Sequence, residues 1–121
     1  MKYHNPDLAL LLLRLGLSVV FLGHGIAKLN DLPGTVAYFA ALGLPAVMAY
    51  FIAVLETVAG AAVLMGVFTR LSALGLAATM VGAIVTTKGQ GGIGSFEFEF
   101  ILLIVSLALA LIGPGKYAVK R

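Results

Sequence analysis

The chain has 121 residues, 61% of them hydrophobic and only 11% charged, whereas a water-soluble domain carries about a quarter charged. A domain of this size leaves roughly a third of its unfolded surface exposed, and eight Lys and Arg with five Asp and Glu are too few to coat it, so the main solvent is lipid. The +3 formal charge is scattered, with no basic run longer than Lys120-Arg121, which reads as membrane topology and not as a nucleic-acid site; the absence of Cys excludes disulfides, thiolate metal sites, CxxC redox chemistry and Cys-attached haem.

A helix needs about 20 mostly apolar residues to cross a bilayer, where the backbone must satisfy its own hydrogen bonds. Four segments meet or approach that length, at about 8–29, 45–68, 71–87 and 96–112. Arg14 interrupts the first, and no small-residue cleavage pattern follows it, so it reads as a span and not as a signal peptide. Breakers separate the segments: Asn30 to Gly34, then Thr69-Arg70, then Lys88 to Gly92 with Gly94, and finally Gly113-Pro114-Gly115. Between the first two spans, Val36, Phe39 and Leu42 recur at helical spacing between Pro33-Gly34 and Gly43, which predicts a short helix lying at the interface.

The expected fold is therefore all-α, a single-domain integral membrane four-helix bundle. With four spans both termini lie on one side, together with Lys2, Arg14, Arg70, Lys116, Lys120 and Arg121; Lys28 and Lys88 lie on the other. The positive-inside rule then predicts cytoplasmic termini. Small residues four apart, Gly23 with Ala27, Ala62 with Gly66 and Ala78 with Gly82, mark places where helices can approach closely.

Charge inside the spans is the informative feature, because an unpaired Arg or Glu at mid-bilayer costs about 2.5 kcal/mol or more. At 100° per residue, Arg14, Phe21 and Lys28 form one stripe of the first helix, with His24 beside Lys28. Glu56 sits near the centre of the second span on a face of small or slender residues, Ala49, Ala53, Gly60 and Val63. Counted from opposite membrane surfaces, Arg14 and Glu56 come within about one turn of the same depth. This predicts a buried pair, serving either to fix helix orientation or to set Glu56 as a proton acceptor beside a ligand.

Near the other surface, His24 and Lys28 should meet the start of the last span, where Glu97 and Glu99 stand among Phe96, Phe98 and Phe100. The two acids diverge by about 200° on a helix, and Glu97 is the one expected to face inward. With Tyr38 of the short helix, these groups could surround a polar head group whose apolar tail lies between helices, the shape of a quinone. His24 and Glu56 would then be the candidate proton relay. A structural hydrogen bond is the plain alternative for His24. No ligand pair has metal-site spacing, and Gly89 to Gly94 lacks the strand and helix context of a phosphate loop.

Taken in order, Arg14-Leu15, Phe21-Leu22-Gly23-His24-Gly25 with Lys28-Leu29, Gly43-Leu44-Pro45, Leu55-Glu56 with Gly60, Gly66 with Thr69-Arg70, and Gly113-Pro114-Gly115 resemble the DoxX family of small four-helix membrane proteins over nearly the whole chain. The resemblance implies a bacterial or archaeal cytoplasmic membrane and a link to quinones, oxidative stress or partner redox proteins. It places the family pattern on Arg14, His24, Lys28, Glu56 and Arg70, with Glu97 near the acid that opens the last helix. One departure stands out: after Gly-Pro-Gly the family often continues with a Ser-Leu-Asp-like tail, and here Lys116-Tyr117-Ala118-Val119-Lys120 follows, so a contact made by that tail is not expected to carry over.

The sequence thus supports a quinone-interacting subunit or accessory of a membrane redox system, with ligand contacts at Arg14, His24, Lys28, Tyr38, Glu56 and Glu97, no metal or haem, and whether the chain itself is an enzyme left open. The alternatives are a non-catalytic anchor that recruits a soluble oxidoreductase and, disfavoured by the lack of paired broken helices, a small-solute transporter. Association with further copies of the chain is left open, and nucleic acid is not an expected partner.

Overall fold

A computed structural model describes residues 4–88 and 93–120. Lys2, Arg121, Gly89 to Gly92 and the side chain of Lys88, which entered the topology and breaker arguments, lie outside the described residues.

Helix α1 spans Pro6–Asn30. Asn5 caps it by accepting the Leu8 N–H at 3.0 Å, and Pro6 occupies the first helical position, where a missing N–H costs nothing. Asp31 is the elbow to α2, Leu32–Ala41. Its own N–H donates to the Lys28 carbonyl at the end of α1, while its side chain accepts the Gly34 N–H at 3.1 Å and so caps α2. The expected short helix is therefore present, and it packs on α3 and the end of α1.

Helix α3 spans Ala46–Met65 and ends at Gly66, whose φ of 76° makes the left-handed turn that terminates a helix. After Val67 and Phe68, α4 runs Thr69–Ala83 and continues as a π-helical turn, Ile84–Lys88. Helix α5 spans Ile93–Ile112 and is broken at Phe96 (φ −132°, ψ 17°), so its regular part begins with the acids.

Four of these helices are long and apolar enough to cross a membrane: 6–30, 46–65, 69–86 and 94–112. Successive spans run in opposite directions, α1 packing mainly on α3 and α4 on α5, with α3 against α4 joining the two hairpins. Leu17 and Phe21 of α1, Val63 of α3, Leu76 of α4 and Leu109 of α5 meet in one core. No more than a third of any span is buried. The remaining outward apolar faces suit contact with lipid tails.

Of the glycines in the small-residue pairs only Gly66 is closely approached, by Ala118 of the tail and by Arg14 Nη2, which would lie 2.7 Å from a Cβ there; the backbone contacts between helices fall elsewhere. A Cβ at Gly25 would collide with the Thr57 hydroxyl and lie 2.7 Å from its backbone nitrogen, and one at Gly60 would lie 3.2 Å from the Leu22 nitrogen. These two glycines let α1 and α3 touch backbone to backbone. Gly23 and Gly82 have open space where a side chain would stand, and Gly66 serves the turn.

Candidate functional site

The buried charges on α1 and α3 divide into two sites at opposite ends of the bundle. At the end holding both termini, Arg14 is 1% exposed and its guanidinium is satisfied entirely by backbone carbonyls. Nε donates to Val63 at 2.9 Å and Nη2 to Leu64 at 2.8 Å. Nη1 donates to Tyr117 at 2.6 Å and to Pro114 at 3.3 Å. Val63 and Leu64 lie in the last turn of α3, where the helix dipole favours a cation; the Val63 carbonyl also accepts the Gly66 N–H at 3.2 Å.

The expected Arg14–Glu56 pair is thus corrected. Both side chains turn inward, but Arg14 meets α3 seven residues beyond Glu56, about 10 Å further along that helix. The two depths had been counted from separate surfaces, and neither count contained the register at which α1 crosses α3. That register is set by Gly25 on Thr57 and Gly60 on Leu22, and it carries Lys28 to Glu56.

At the opposite end Lys28 Nζ lies 2.6 Å from Glu56 Oε1. The carboxylate side chain is 2% exposed and the lysine side chain 25%, so the acid is enclosed and its cation opens outward. The face of α3 around Glu56 is as expected: Ala49, Ala53, Gly60 and Val63 are all buried, and these small or slender side chains leave room for α1.

Above the pair a groove of about 460 Å³ lies between the end of α1 and α2, within the size range of small-molecule sites. His24, Lys28 and Tyr38, three residues singled out from the sequence, line it together. Asp31 and Thr35 complete its polar wall. Thr35 Oγ1 donates toward the carbonyls of Asp31 at 2.9 Å and Lys28 at 3.2 Å, tying α2 to the helix end that carries Lys28. Neither residue stands out as a site residue in the sequence, where the available signal is the Asp-x-x-Gly cap at 31–34.

His24 is exposed, with its ring 6.1 Å from that of Phe98, so the start of α5 does approach this end of α1. The acid chosen there is not the enclosed one: Glu97 is exposed and Glu99 half-buried. The buried stripe of α5 runs through Leu102, Ser106 and Leu109, and Glu99 lies one helical step before Leu102, whereas Glu97 lies about 140° away. Of the six expected contacts, Arg14 is at the far end of the bundle, Glu97 is outside the groove, and Glu56 lies beneath it holding Lys28. Among the described residues no cluster of three or more His, Asp or Glu is arranged to hold a metal.

The tail, like Arg14, is held largely through backbone groups. Despite its unusual side chains it is docked, through its backbone: Val119 N–H donates to Met65 at 2.9 Å, Lys120 N–H to Gly66 at 3.2 Å, and Lys116 N–H to Asp7 Oδ1 at 3.0 Å.

Residues 9–89 match the family model named DoxX. The chain is 39% identical to "Putative oxidoreductase CatD" of Bacillus subtilis, covering 88% of this chain and 81% of that protein. It is 33% identical to "Inner membrane protein YqjF" of Escherichia coli, covering 95% and 92%. It is also 35% identical to "Uncharacterized membrane protein Rv3486" of Mycobacterium tuberculosis, covering 90% and 77%. No solved structure matches it.

Proposed function

The chain belongs to the DoxX family of membrane proteins, and from that premise we propose that it is a quinone-interacting subunit or accessory of a membrane redox system, with its termini in the cytoplasm. One observation carries the reading. A cation held from below by a buried carboxylate opens into a groove that also presents an imidazole and a phenol. The name of the Bacillus relative as an oxidoreductase supports the redox class.

The groove's donor set fits a quinone head group, whose carbonyl oxygens accept hydrogen bonds. When bound, a quinone supplies electron acceptance coupled to proton uptake. Lys28 donates to a carbonyl oxygen, and Glu56 holds the ammonium so that it arrives pre-positioned. His24, exposed in the groove wall, offers its imidazole to the second carbonyl oxygen, and Tyr38 closes the side of the groove formed by α2. Arg14 is structural in this reading, and Glu97 lies at the edge. Arg70, Lys116 and Lys120, all at the end that carries the termini, support the cytoplasmic orientation.

The test is purification from a quinone-containing membrane, with lipid extraction and thermal unfolding. Co-purifying quinone is expected, together with stabilisation by added quinone that is lost in His24→Ala and reduced in Lys28→Met. Absence of quinone, with identical responses in wild type and both variants, would overturn the reading. The second reading, an anchor that recruits a soluble oxidoreductase, is favoured by the fact that both buried charges of α1 and α3 are already satisfied within the chain. A stoichiometric protein partner without quinone would establish it.

A further inference from the structure

The end of the bundle that holds Arg14 carries a second cavity, of about 650 Å³, between the start of α1, the turn from α3 to α4 and the tail after α5. Arg70, Lys116 and Lys120 stand in its wall against one carboxylate, Asp7. Asp7 Oδ1 is engaged by the Lys116 N–H. None of the three cations pairs with a carboxylate among the described residues. Lys116 and Lys120 instead lie over the rings of Tyr117 and Phe68, at 5.4 and 5.8 Å, and Arg70 makes one long bond of 3.4 Å to the Ile112 carbonyl.

Two features of α4 point to an anion at the same place. The helix opens without a side-chain cap: Phe68 occupies that position with φ 49° and ψ 38°, and its ring offers no acceptor to the first-turn N–H groups. Thr69, the first residue of the helix and part of the cavity wall, is 3% exposed, and its hydroxyl is buried without a hydrogen-bond partner. An orphaned hydroxyl beside uncapped N–H groups and three cations forms a donor set for a phosphate. The rest of the wall includes Leu71 and Ile112, both exposed on spans that face lipid.

We propose that this cavity binds the phosphate of an anionic phospholipid, with Thr69 and the start of α4 on the phosphate, Arg70, Lys116 and Lys120 around it, and the acyl chains running along Leu71 and Ile112. The site lies at the opposite end of the bundle from the groove of His24 and Lys28 and does not depend on what that groove binds. A lipid here clamps the turn after α3 to the docked tail, which Arg14 separately ties to the last turn of α3.

The full chain, delipidated in a neutral detergent, is titrated with dioleoyl phosphatidylglycerol, with dioleoyl phosphatidylcholine and with inorganic phosphate. Bound species are counted by native mass spectrometry, and thermal unfolding is followed in parallel. Phosphatidylglycerol is expected to bind one per chain and to raise the unfolding temperature, with phosphatidylcholine about tenfold weaker and inorganic phosphate without effect at matched concentration. Thr69→Val and Lys116→Gln, neither of which removes a side-chain hydrogen bond, should each weaken phosphatidylglycerol by about three- to tenfold; the triple variant Arg70→Gln, Lys116→Gln, Lys120→Gln should abolish its binding. If that variant fails to fold, the two single variants decide. Unchanged binding in both, or equal binding of the two lipids, would overturn the proposal, and stabilisation by inorganic phosphate equal to that by lipid would reassign the cavity to a soluble phosphate.

Discussion

The two ends of α1 treat a buried cation in opposite ways. Arg14 spends its guanidinium on four carbonyls, and its rigid, planar array of donors suits that role. Lys28 has one side-chain partner among the described residues, Glu56, and keeps a quarter of its side chain exposed beside the groove. The first arrangement is closed and joins three segments of chain. The second leaves donor capacity unspent at a surface, which is what a ligand site requires. A charge within a span therefore marks function only where its hydrogen-bonding capacity is not already filled from the backbone.

The largest effect is expected from Arg14→Met, which removes the donors for the last turn of α3 and for the tail. Hydrogen bonds to charged groups contribute about 1.5–3 kcal/mol each, and several vanish together, so a loss above about 4 kcal/mol is expected in thermal or denaturant unfolding in mild detergent. Arg14→Lys should recover only part of it, since one ammonium cannot reach carbonyls on both sides. A near-neutral Arg14→Met would remove the contrast between the two ends.

Next comes the pair at the other end, where the two partners should behave asymmetrically. Lys28→Met strands a carboxylate that is 2% exposed and should cost about 3–5 kcal/mol. Glu56→Leu frees an ammonium that can extend toward water and should cost less. The double variant should be more stable than Lys28→Met alone, and a double-mutant cycle measures the coupling. Equal single-mutant losses would mean that the groove is less open to water than the exposure of Lys28 indicates.

Both sites depend on one helix register, so Gly25→Ala tests them together. The added methyl meets Thr57 and should destabilise by about 1–3 kcal/mol, lowering ligand response at the groove as well. Gly23→Ala, with nothing near the new methyl, should be neutral or slightly stabilising, because alanine is the better helix former. Equal effects at the two positions would show that α1 and α3 do not cross at Gly25.

How much of this was legible follows from the physics of each signal. The four spans and the short helix after the first were readable because hydrocarbon demands long apolar helices and because Asp31, Pro33 and Gly34 punctuate the chain. The inward face of Glu56 was readable from periodicity. Its partner was not, because pairing depends on the crossing point of two helices, and Gly25 and Gly60 fix that point only once α1 and α3 are known to touch. The partners of Arg14 are hidden for a different reason: they are backbone carbonyls, two at the end of α3 and two in the tail, and carbonyls are present in every sequence and marked in none.

The smallest effect concerns α5. Glu99 shares the buried stripe with Leu102, Ser106 and Leu109, whereas Glu97 is exposed. Glu99→Gln should therefore change stability by roughly 0.5–1 kcal/mol, and Glu97→Gln by less than about 0.5 kcal/mol, the usual range for surface positions. The ligand response separates the two further. If α5 contributes to the outer site through the approach of Phe98 to His24, then Phe98→Ala and Glu99→Gln should weaken stabilisation by quinone while Glu97→Gln leaves it unchanged. Should Glu97→Gln be the one that matters, α5 would have to turn about its axis when the site is occupied. The break at Phe96, just before the acids, is where such a turn would be absorbed.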